Sequence, residues 1–432
     1  MMKKIFFGLI ISYSWTLSQD LTTVNHKRLN DHMAALSKFG RNDIGGVSRV
    51  AYSDADLAGR EFTIQLMKKA SLQVRIDAGG NIIGHMKGKD SSRSAIAIGS
   101  HIDSVPEGGN YDGNVGSMSA IEVAHTIHEN NIELTHPLIV VIFQNEEGGL
   151  FGSKVMTTGL TAMELDLPSS SGLSIRDGIE KIGGDLSKIR TAQLAKNEWA
   201  AYIELHIEQG GFLFQEGNHI GVVEGIVGIK QWDVTVNGFP NHAGTTPMDQ
   251  RRDALYAASQ YIQAVHEIGK HTPGRQVATV GKIQSFPGAP NVVPGLVNAS
   301  LEIRDLDAKK MDFIFNLIKR KSMDIGQKTG TKFHFEPTIN ILPQLTDSNI
   351  RTIINQSAQS LGLSTKEMPS GAGHDAQEMA VICPVGMIFV PSKNGISHSP
   401  TEYSSPQDIT NGANVLLHTV LNLDRQLNHK NK

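Results

Sequence analysis

The chain has 432 residues, which is too long for one ordinary hydrophobic core, so its length predicts two domains. Hydrophobic residues make up 39% of it and charged residues 19%, which is typical of a folded soluble protein and excludes a disordered or fibrous one. The formal net charge of -3 at pH 7 argues against a nucleic-acid partner, because proteins that track phosphates carry a clear basic excess.

The N-terminal segment has the layout of a secretory signal. Two lysines precede an apolar run from Ile5 to Trp15, and the small polar residues Thr16 and Ser18 follow. The run is short for a transmembrane helix, so we predict a signal peptide over residues 1–18 and a periplasmic or secreted protein without a membrane span in its mature form. The alternatives are a buried amphipathic element or a retained anchor, and without cleavage the protein would stay in the cytoplasm.

Residues 22–228 predict the first part of an α/β domain. Two helical patterns and a short strand pair come first. Three apolar runs follow, in SAIAIGSHID, PLIVVIFQNEEG and AYIELHIEQG, separated by helical patterns such as SMSAIEVAHTIHEN. Near-continuous apolar runs are typical of strands buried on both faces. They predict a mixed, largely parallel sheet flanked by helices.

Residues 229–342 have a different pattern, in which an alternating strand, a helix, two strands, a helix near 308–329 and a last strand follow one another. This β-α-β-β-α-β order predicts a complete α+β module of the ferredoxin-like type. The first pattern resumes over residues 343–428. We therefore predict one domain inserted into another.

Acidic and imidazole side chains follow the apolar runs. His101 comes after the first run, Glu146 and Glu147 after the second, and His206 lies at the end of the third. Because the carboxyl ends of parallel strands meet at one edge of a sheet, these side chains are expected to converge. Cys383 is the only cysteine, so a metal site here must use His, Asp and Glu, and no disulfide forms within the chain.

Two further residues extend this set: Asp112 in the glycine-rich stretch GSHIDSVPEGGNYDGNVGS, and His398 in GISHSPTEYS. Five nitrogen and oxygen ligands suit two divalent ions that share a carboxylate, with zinc first and manganese, cobalt or nickel as alternatives. Asp103, two residues after His101, is expected to hydrogen-bond its ring. The competing interpretations are a satisfied polar pair, a solvated strand end and a phosphate loop, although no G-K-[ST] follows the glycines.

Segments along nearly the whole mature chain resemble the dinuclear-metal amidohydrolases of the hydantoinase/carbamoylase group. This group includes N-carbamoyl-L-amino-acid hydrolase, allantoate amidohydrolase, ureidoglycolate amidohydrolase and β-alanine synthase, and it is similar to zinc amino- and carboxypeptidases. In chain order the motifs are GSHIDSV, GGNYDGNVG, NEEGG, ELHIEQG, NHAGTTPM, PNVVPG, EIRDLD, GAGHDAQ and SHSPTEY. The resemblance implies a zinc-exopeptidase-like fold whose inserted module serves as a lid and dimerisation domain, and therefore a homodimer.

The resemblance also implies roles for the polar residues at the strand ends. One ion would be held by His101 and His206, the other by Glu147 and His398, with Asp112 as the bridge. Asp103 would orient His101, and Glu146 would be the general base. The peptidase branch usually has an aspartate in place of His206, so the imidazole favours the carbamoylase branch.

Five more residues are implied as substrate contacts. His242 would reach the active site of the partner subunit and polarise the attacked carbonyl. Asn291 and Arg304 would clamp the α-carboxylate, since an arginine fork matches two carboxylate oxygens. Gln209 and His374 would contact the ureido end or a second carboxylate. The alternatives are turn or cap chemistry for the amides and a surface salt bridge for the arginine.

The implied reaction is hydrolysis of a linear C–N bond in an N-carbamoyl amino acid or a ureido acid such as allantoate, with release of ammonia and carbon dioxide. A metallo-dipeptidase or aminoacylase is the alternative among enzymes. A binding or scaffolding protein is the alternative among other classes, and the complete ligand set with Glu146 counts against it. The stretch NEEGGLFGSKVM is shorter than expected for an allantoate amidohydrolase, which leaves the exact substrate open.

Overall fold

The computed structural model describes residues 21–430. The predicted signal peptide, residues 1–18, lies outside the described residues. Within the described range, no helix combines the length and the apolar character that a membrane span requires.

Up to residue 226, helices and strands alternate as the sequence patterns predict. Both N-terminal helices begin at a side-chain cap, since Asn25 accepts a hydrogen bond from the backbone of Arg28, and Ser53 from that of Asp56. The elements are α1 (His26–Leu36), α2 (Asp54–Lys69), β1 (Gln73–Ile76), β2 (Ile82–Met86), β3 (Ala95–His101), α3 (Asn114–Glu129), β4 (Leu138–Phe143), α4 (Phe151–Met156), α5 (Ala162–Leu165), α6 (Ile175–Lys181), β5 (Trp199–Ile207), α7 (Phe212–Glu216) and β6 (Ile220–Ile226).

The next residues form a second group of elements in the predicted β-α-β-β-α-β order, with two very short extra strands. The group comprises β7 (Gly228–Asn237), β8 (Asn241–His242), α8 (Ala254–His271), β9 (Val277–Thr279), β10 (Ile283–Phe286), β11 (Val292–Val293), β12 (Leu296–Asp305), α9 (Ala308–Thr329) and β13 (Lys332–Ile341). The stretch VATVGKIQS, predicted as one strand, forms β9 and β10. Between them the hydroxyl of Ser300 accepts from the backbone N–H groups of Gly281 and Lys282, which interrupts the ladder.

The remaining elements return to the first pattern. They are β14 (Gln344–Leu345), α10 (Ser348–Ser360), β15 (Thr365–Ser370), α11 (Asp375–Met379), β16 (Val385–Val390) and α12 (Pro406–Lys430). Short 3₁₀ helices span Leu186–Ala192, Met248–Gln250 and Lys393–Gly395.

The larger sheet has the strand order β1-β2-β4-β3-β5-β16-β6-β14, with β15 paired to β6. The central strands β4, β3, β5 and β16 are parallel to their neighbours in this group. Helices cover both faces: in β3, Ile96 and Ile98 belong to one buried cluster and Ala97 to the other. The predicted α/β class, with a mixed sheet that is parallel at its centre and flanked by helices, is confirmed.

The second sheet is antiparallel, with the order β10-β12-β7-β13 and with β9 paired to β12. One face packs against α8 and α9, so residues alternate along β12: Leu301 and Ile303 are buried, and Glu302 and Arg304 lie on the opposite face. Arg304 donates a hydrogen bond to the backbone oxygen of Gly371 at 2.8 Å. Gly371 directly follows β15, so this bond connects the open face of the second sheet to a loop of the larger sheet.

Candidate metal centre and active site

The parallel strands bring four of the predicted site residues to one edge of the sheet. His101 is the last residue of β3, and His206 is the penultimate residue of β5, which pairs with β3 in parallel. Glu146 and Glu147 follow β4 on the other side of β3. The predicted convergence of these strand ends is therefore present in the structure.

The glycine-rich stretch brings Asp112 over these strand ends. Gly113 has a φ of 65° and caps the N-terminus of α3. A Cβ atom at this position would lie 2.4 Å from Nε2 of His101, so only glycine allows both the backbone conformation and the close approach. The backbone N–H of Gly113 also points at Nε2 of His206, 3.3 Å away.

The carboxylate of Asp112 divides its two oxygens between two groups of side chains. Oδ1 lies 3.1 Å from Nε2 of His206 and 3.5 Å from Nε2 of His101. Oδ2 lies 3.2 Å from Nε2 of His398, which in turn is 3.5 Å from Oε2 of Glu147. The structure thus assembles two clusters that share Asp112, with ligand atoms within 4.8 Å of one another in each.

These clusters fit two divalent ions on their own chemistry. Nδ1 of His101 lies 3.0 Å from the carbonyl oxygen of Asp103, and Nδ1 of His206 lies 2.9 Å from that of Ile207. A carbonyl oxygen only accepts, so in each ring the proton is on Nδ1 and the lone pair is on Nε2, which faces the cluster. The Nε2 atom of His206 accepts only the 3.3 Å contact from the backbone N–H of Gly113. Nε2 of His101 is buried and has no hydrogen-bond partner among the described residues.

Asp103 contacts the ring of His101 through its backbone carbonyl, whereas the sequence predicted a contact through its carboxylate. Its Oδ1 lies 3.6 Å from Nδ1 of His101, beyond hydrogen-bond distance, and its backbone carbonyl contacts the ring instead. The carboxylate accepts from the backbone N–H groups of Glu146 and Glu147, each at 3.2 Å. The reason is that β3 ends at His101, so Asp103 no longer follows the alternation of the strand.

Of the two adjacent glutamates, Glu146 is buried and Glu147 is partly buried, and other acidic residues lie close to both. Burial raises the pKa of Glu146 well above its usual value, and the charges of Asp375 and Glu147 add to this effect against the attraction of His101. Burial and the charge of Asp112 raise the pKa of Glu147 to about 7. Oε2 of Glu146 lies 3.6 Å from Nε2 of His101, so this carboxylate borders the cluster.

The pKa of Asp112 is shifted in the opposite direction, below its usual value. Burial alone would raise its pKa, but the neighbouring imidazoles of His101, His206 and His398 hold that pKa well below its usual range. The carboxylate of Asp112 is therefore ionised. The hydrogen bond to Asp112, together with the charges of Glu147 and Asp112, raises the pKa of His398 to about 9.

Two predicted substrate contacts lie at this cluster. Gln209 has a φ of 56°, and its amide nitrogen donates to Oδ2 of Asp112 at 2.6 Å. His374 is buried against His206, with 4.4 Å between ring centroids, and its Nε2 lies 2.8 Å from the hydroxyl of Ser370. Burial lowers the pKa of His374 well below its usual value, so the ring is neutral.

The other predicted contacts lie on the second sheet and its loops. His242 and Asn291 are exposed and belong to neighbouring segments, since β8 and β11 pair with each other. Nδ1 of His242 accepts from the backbone of Gly244 and Thr245, so its hydrogen bonds are local. Arg304 donates through Nε to Glu302 at 2.7 Å and also contacts Gly371, three residues before His374.

Three buried acidic residues beside the cluster were not predicted from the sequence. Glu204 accepts from the hydroxyl of Ser100 and the backbone of Ala376. Asp375 is fully buried, and Glu402 accepts from the backbone of Asp112. All three lie inside the motifs ELHIEQG, GAGHDAQ and SHSPTEY, so their position within these motifs was the available signal.

The chain is similar to known proteins over most of its length. Residues 97–422 match the model described as Peptidase family M20/M25/M40. The chain is 35% identical over 405 residues to N-carbamoyl-L-amino acid amidohydrolase of Geobacillus stearothermophilus, covering 93% of this chain and 99% of that protein. It is 33% identical over 398 residues to allantoate amidohydrolase of Bacillus subtilis, with 90% and 95% covered.

A solved structure agrees with these relatives. The amidase of the hydantoinase/carbamoylase family from Burkholderia multivorans is 33% identical and has a TM-score of 0.86, covering 93% of this chain and 98% of that one. The resemblance that the motifs indicate is confirmed. The chain belongs to peptidase family M20/M25/M40, within its hydantoinase/carbamoylase group.

Proposed function

We propose that this protein is a metal-dependent hydrolase of a linear C–N bond in an N-carbamoyl amino acid or a ureido acid such as allantoate, releasing ammonia and carbon dioxide. The division of the Asp112 carboxylate, with Oδ1 towards His206 and Oδ2 towards His398, carries this proposal. A carboxylate between two groups of nitrogen and oxygen ligands suits a pair of divalent ions. The relatives named as amidohydrolases support the class of bond.

The two proposed ions would be bound by different residues. His101 and His206 would hold one, Glu147 and His398 the other, and Asp112 would bridge them. Zinc suits this set of ligands, and manganese, cobalt or nickel are the alternatives. When bound, such ions lower the pKa of a water molecule and polarise a carbonyl group.

Glu146 is the proposed general base. Its carboxylate borders the cluster, where it can take a proton from the attacking water and pass it to the departing nitrogen, and its raised pKa makes it a stronger base. Asp103 supports this role through its hydrogen bonds to the backbone of the glutamate pair.

The proposed substrate carries a free carboxylate. Arg304 and Asn291 would bind that group, and Gln209 and His374 would contact the ureido end or a second carboxylate. The position of Arg304 supports this part of the proposal, because its guanidinium reaches the loop that leads to His374. A guanidinium fork matches the two oxygens of a carboxylate.

Residues 229–342 are proposed as a lid and dimerisation domain between the catalytic segments 22–228 and 343–428, in a homodimer. His242 supports this arrangement because its side chain is exposed and its hydrogen bonds stay within its own loop. The partner subunit's His242 would stabilise the developing oxyanion, which is typically worth about 3 kcal/mol. Light scattering of the purified protein tests the dimer.

Export through a signal peptide over residues 1–18 is a separate part of the proposal. It is supported by the two N-terminal lysines and the apolar run from Ile5 to Trp15. N-terminal sequencing of protein recovered from the periplasm or the medium tests it. An intact N-terminus on cytoplasmic protein would contradict export.

A substrate panel tests the reaction. Metal-reconstituted protein is assayed for ammonia release from allantoate, ureidoglycolate and N-carbamoyl amino acids, and for cleavage of dipeptides and N-acyl amino acids. Ammonia release, abolished by Glu146→Ala, is the expected result. Cleavage of dipeptides or N-acyl amino acids without ammonia release from ureido compounds would instead establish the peptidase or aminoacylase alternative.

A further inference from the structure

The buried carboxylate of Glu402 joins the two loops that carry Asp112 and His398, and it is only 3% exposed. Its Oε1 accepts from the backbone N–H groups of Tyr111 at 2.9 Å and Asp112 at 3.0 Å. Its Oε2 accepts from the backbone N–H of His398 at 3.2 Å and the hydroxyl of Ser397 at 2.9 Å. One side chain therefore ties together two ligand-bearing segments that are far apart in the sequence.

The glycine-rich stretch makes room for this carboxylate. A Cβ atom at Gly109 would lie 2.2 Å from Oε1 of Glu402. The backbone of Gly109 does not have a positive φ, so this glycine is needed for space rather than for its conformation. A second contact joins the same two loops, since the rings of Tyr111 and Tyr403 pack edge to face at 5.6 Å.

The backbone of His398 shows why such a tie is needed. Its φ is 52°, in the left-handed region that residues other than glycine rarely adopt. Such a conformation persists only where the surrounding structure holds it. The N–H of this strained residue is the group that Oε2 of Glu402 accepts from.

We propose that Glu402 is a positioning residue that sets the spacing of the two metal sites. It acts through the backbones of Asp112, the bridging ligand, and His398, a ligand of one site only. This inference rests on the proposed two-metal function. The proposed role predicts that loss of the contacts of Oε2 alone weakens the binding of one ion more than that of the other.

Glu402→Gln separates the two halves. With its amide oxygen in place of Oε1, glutamine still accepts from Tyr111 and Asp112, whereas its NH₂ group only donates and leaves the N–H of His398 without an acceptor. The opposite orientation would leave two N–H groups unpaired instead of one. The first orientation is therefore favoured, and the contact to His398 is the one that is lost.

The experiment measures zinc binding to the metal-free full-length protein by calorimetric titration and by metal content after gel filtration. Wild-type protein is expected to bind two ions. Glu402→Gln is expected to keep one ion at wild-type affinity and to bind the other about 10- to 100-fold more weakly. Glu402→Ala, which loses both halves, is expected to weaken both ions.

Two further variants keep the test decisive. Gly109→Ala displaces Oε1 without removing the carboxylate and is expected to weaken zinc binding even if Glu402→Ala does not fold. Thr401→Val is the matched control, because Thr401 is exposed in the same loop and its side chain contacts Ser399. This control is expected to bind both ions as the wild type does.

Two results would overturn the role of Glu402: unchanged affinity for both ions in Glu402→Gln, or an equal loss of both. Wild-type protein that binds a single ion would remove the proposed two-metal function itself, and the spacing role with it. Cobalt substitution gives an independent readout, because the visible absorption of Co²⁺ reports the geometry of each site. Only one of the two cobalt signals is expected to change in Glu402→Gln.

Discussion

Oδ1 of Asp103 accepts a hydrogen bond from the backbone N–H of Glu146 at 3.2 Å. The backbone carbonyl of the same aspartate orients the ring of His101, so one residue contacts a proposed metal ligand and the proposed general base through different groups. Side-chain and backbone functions of Asp103 are therefore separable by mutation.

Asp103→Asn should lower kcat by about 10- to 100-fold while both ions stay bound. The carbonyl that orients His101 is retained, whereas the amide can accept at only one end and leaves one N–H of the glutamate pair unpaired. Steady-state kinetics and metal analysis on the same preparation check this. Loss of an ion in proportion to the loss of activity would contradict the separation.

Glu146→Ala and Glu147→Ala should differ in metal content. The first should keep both ions and lose about 100- to 10,000-fold in turnover, because it removes a proton carrier. The second should lose the ion shared with His398, since Oε2 of Glu147 lies 3.5 Å from that imidazole. Equal metal content in both variants, with equal loss of activity, would contradict the assignment.

Arg304→Ala should reduce the preference for substrates with a free carboxylate. A hydrogen bond to a charged group is worth about 1.5–3 kcal/mol, so kcat/KM for an N-carbamoyl amino acid should fall by about 10- to 100-fold. Activity on the corresponding carboxamide should change much less. Arg304→Lys serves as the control, because it keeps the positive charge without the two parallel donors. Its kcat/KM should lie between those of the wild type and Arg304→Ala. An unchanged acid-to-amide ratio would remove Arg304 from the clamp.

A mixture of His242→Ala and Glu146→Ala subunits should regain activity that neither variant has alone. In mixed dimers, the subunit with an intact Glu146 receives the partner subunit's His242, so random mixing should restore about a quarter of the sites. Ammonia release after co-refolding measures this. Absence of recovery in dimers that have demonstrably exchanged subunits would place His242 within its own subunit's site.

Arg28→Ala should destabilise the fold without touching the site. Arg28 binds both oxygens of Glu122, which is buried, at 2.7 Å each, and so joins α1 to α3. Removal leaves a buried charge without its partner, which typically costs about 3–5 kcal/mol in the free energy of unfolding. Urea unfolding of the metal-free protein measures it.

The double variant Arg28→Met/Glu122→Gln is the control for that prediction. It removes the buried charge together with its partner, so it should recover much of the lost stability. A double variant as unstable as Arg28→Ala would show that packing, rather than the uncompensated charge, dominates the loss.

Elements with strong periodicity could be predicted from the sequence alone. The runs that became β3, β4 and β5 are apolar because both faces of a central strand are covered, and the alternation along β12 follows from a sheet covered on one face. The split of VATVGKIQS into β9 and β10 was not predictable, because it depends on the hydroxyl of Ser300 from a neighbouring strand.

The ligand candidates were also readable, since His101, Glu147 and His206 lie where buried strands end, Asp112 lies in a glycine-rich stretch, and His398 lies in a loop near the C-terminus. The hydrogen-bond partners of those ligand candidates could not be predicted from the sequence. Spacing predicted that the carboxylate of Asp103 would orient His101, but the strand ends at His101, two residues before Asp103. The tie formed by Glu402 joins residues 290 positions apart, a distance over which sequence periodicity carries no information.

The sequence by itself determined which side chains are available, which family the chain resembles and which segments form the central strands, because these follow from local pattern and composition. Only the tertiary structure decided how Asp112 divides its oxygens, which ring nitrogen of His101 and of His206 faces the cluster, and why His398 tolerates a left-handed backbone. The physical reason is that hydrogen bonds act over about 3 Å in space, whereas the groups that form them here come from distant parts of the chain.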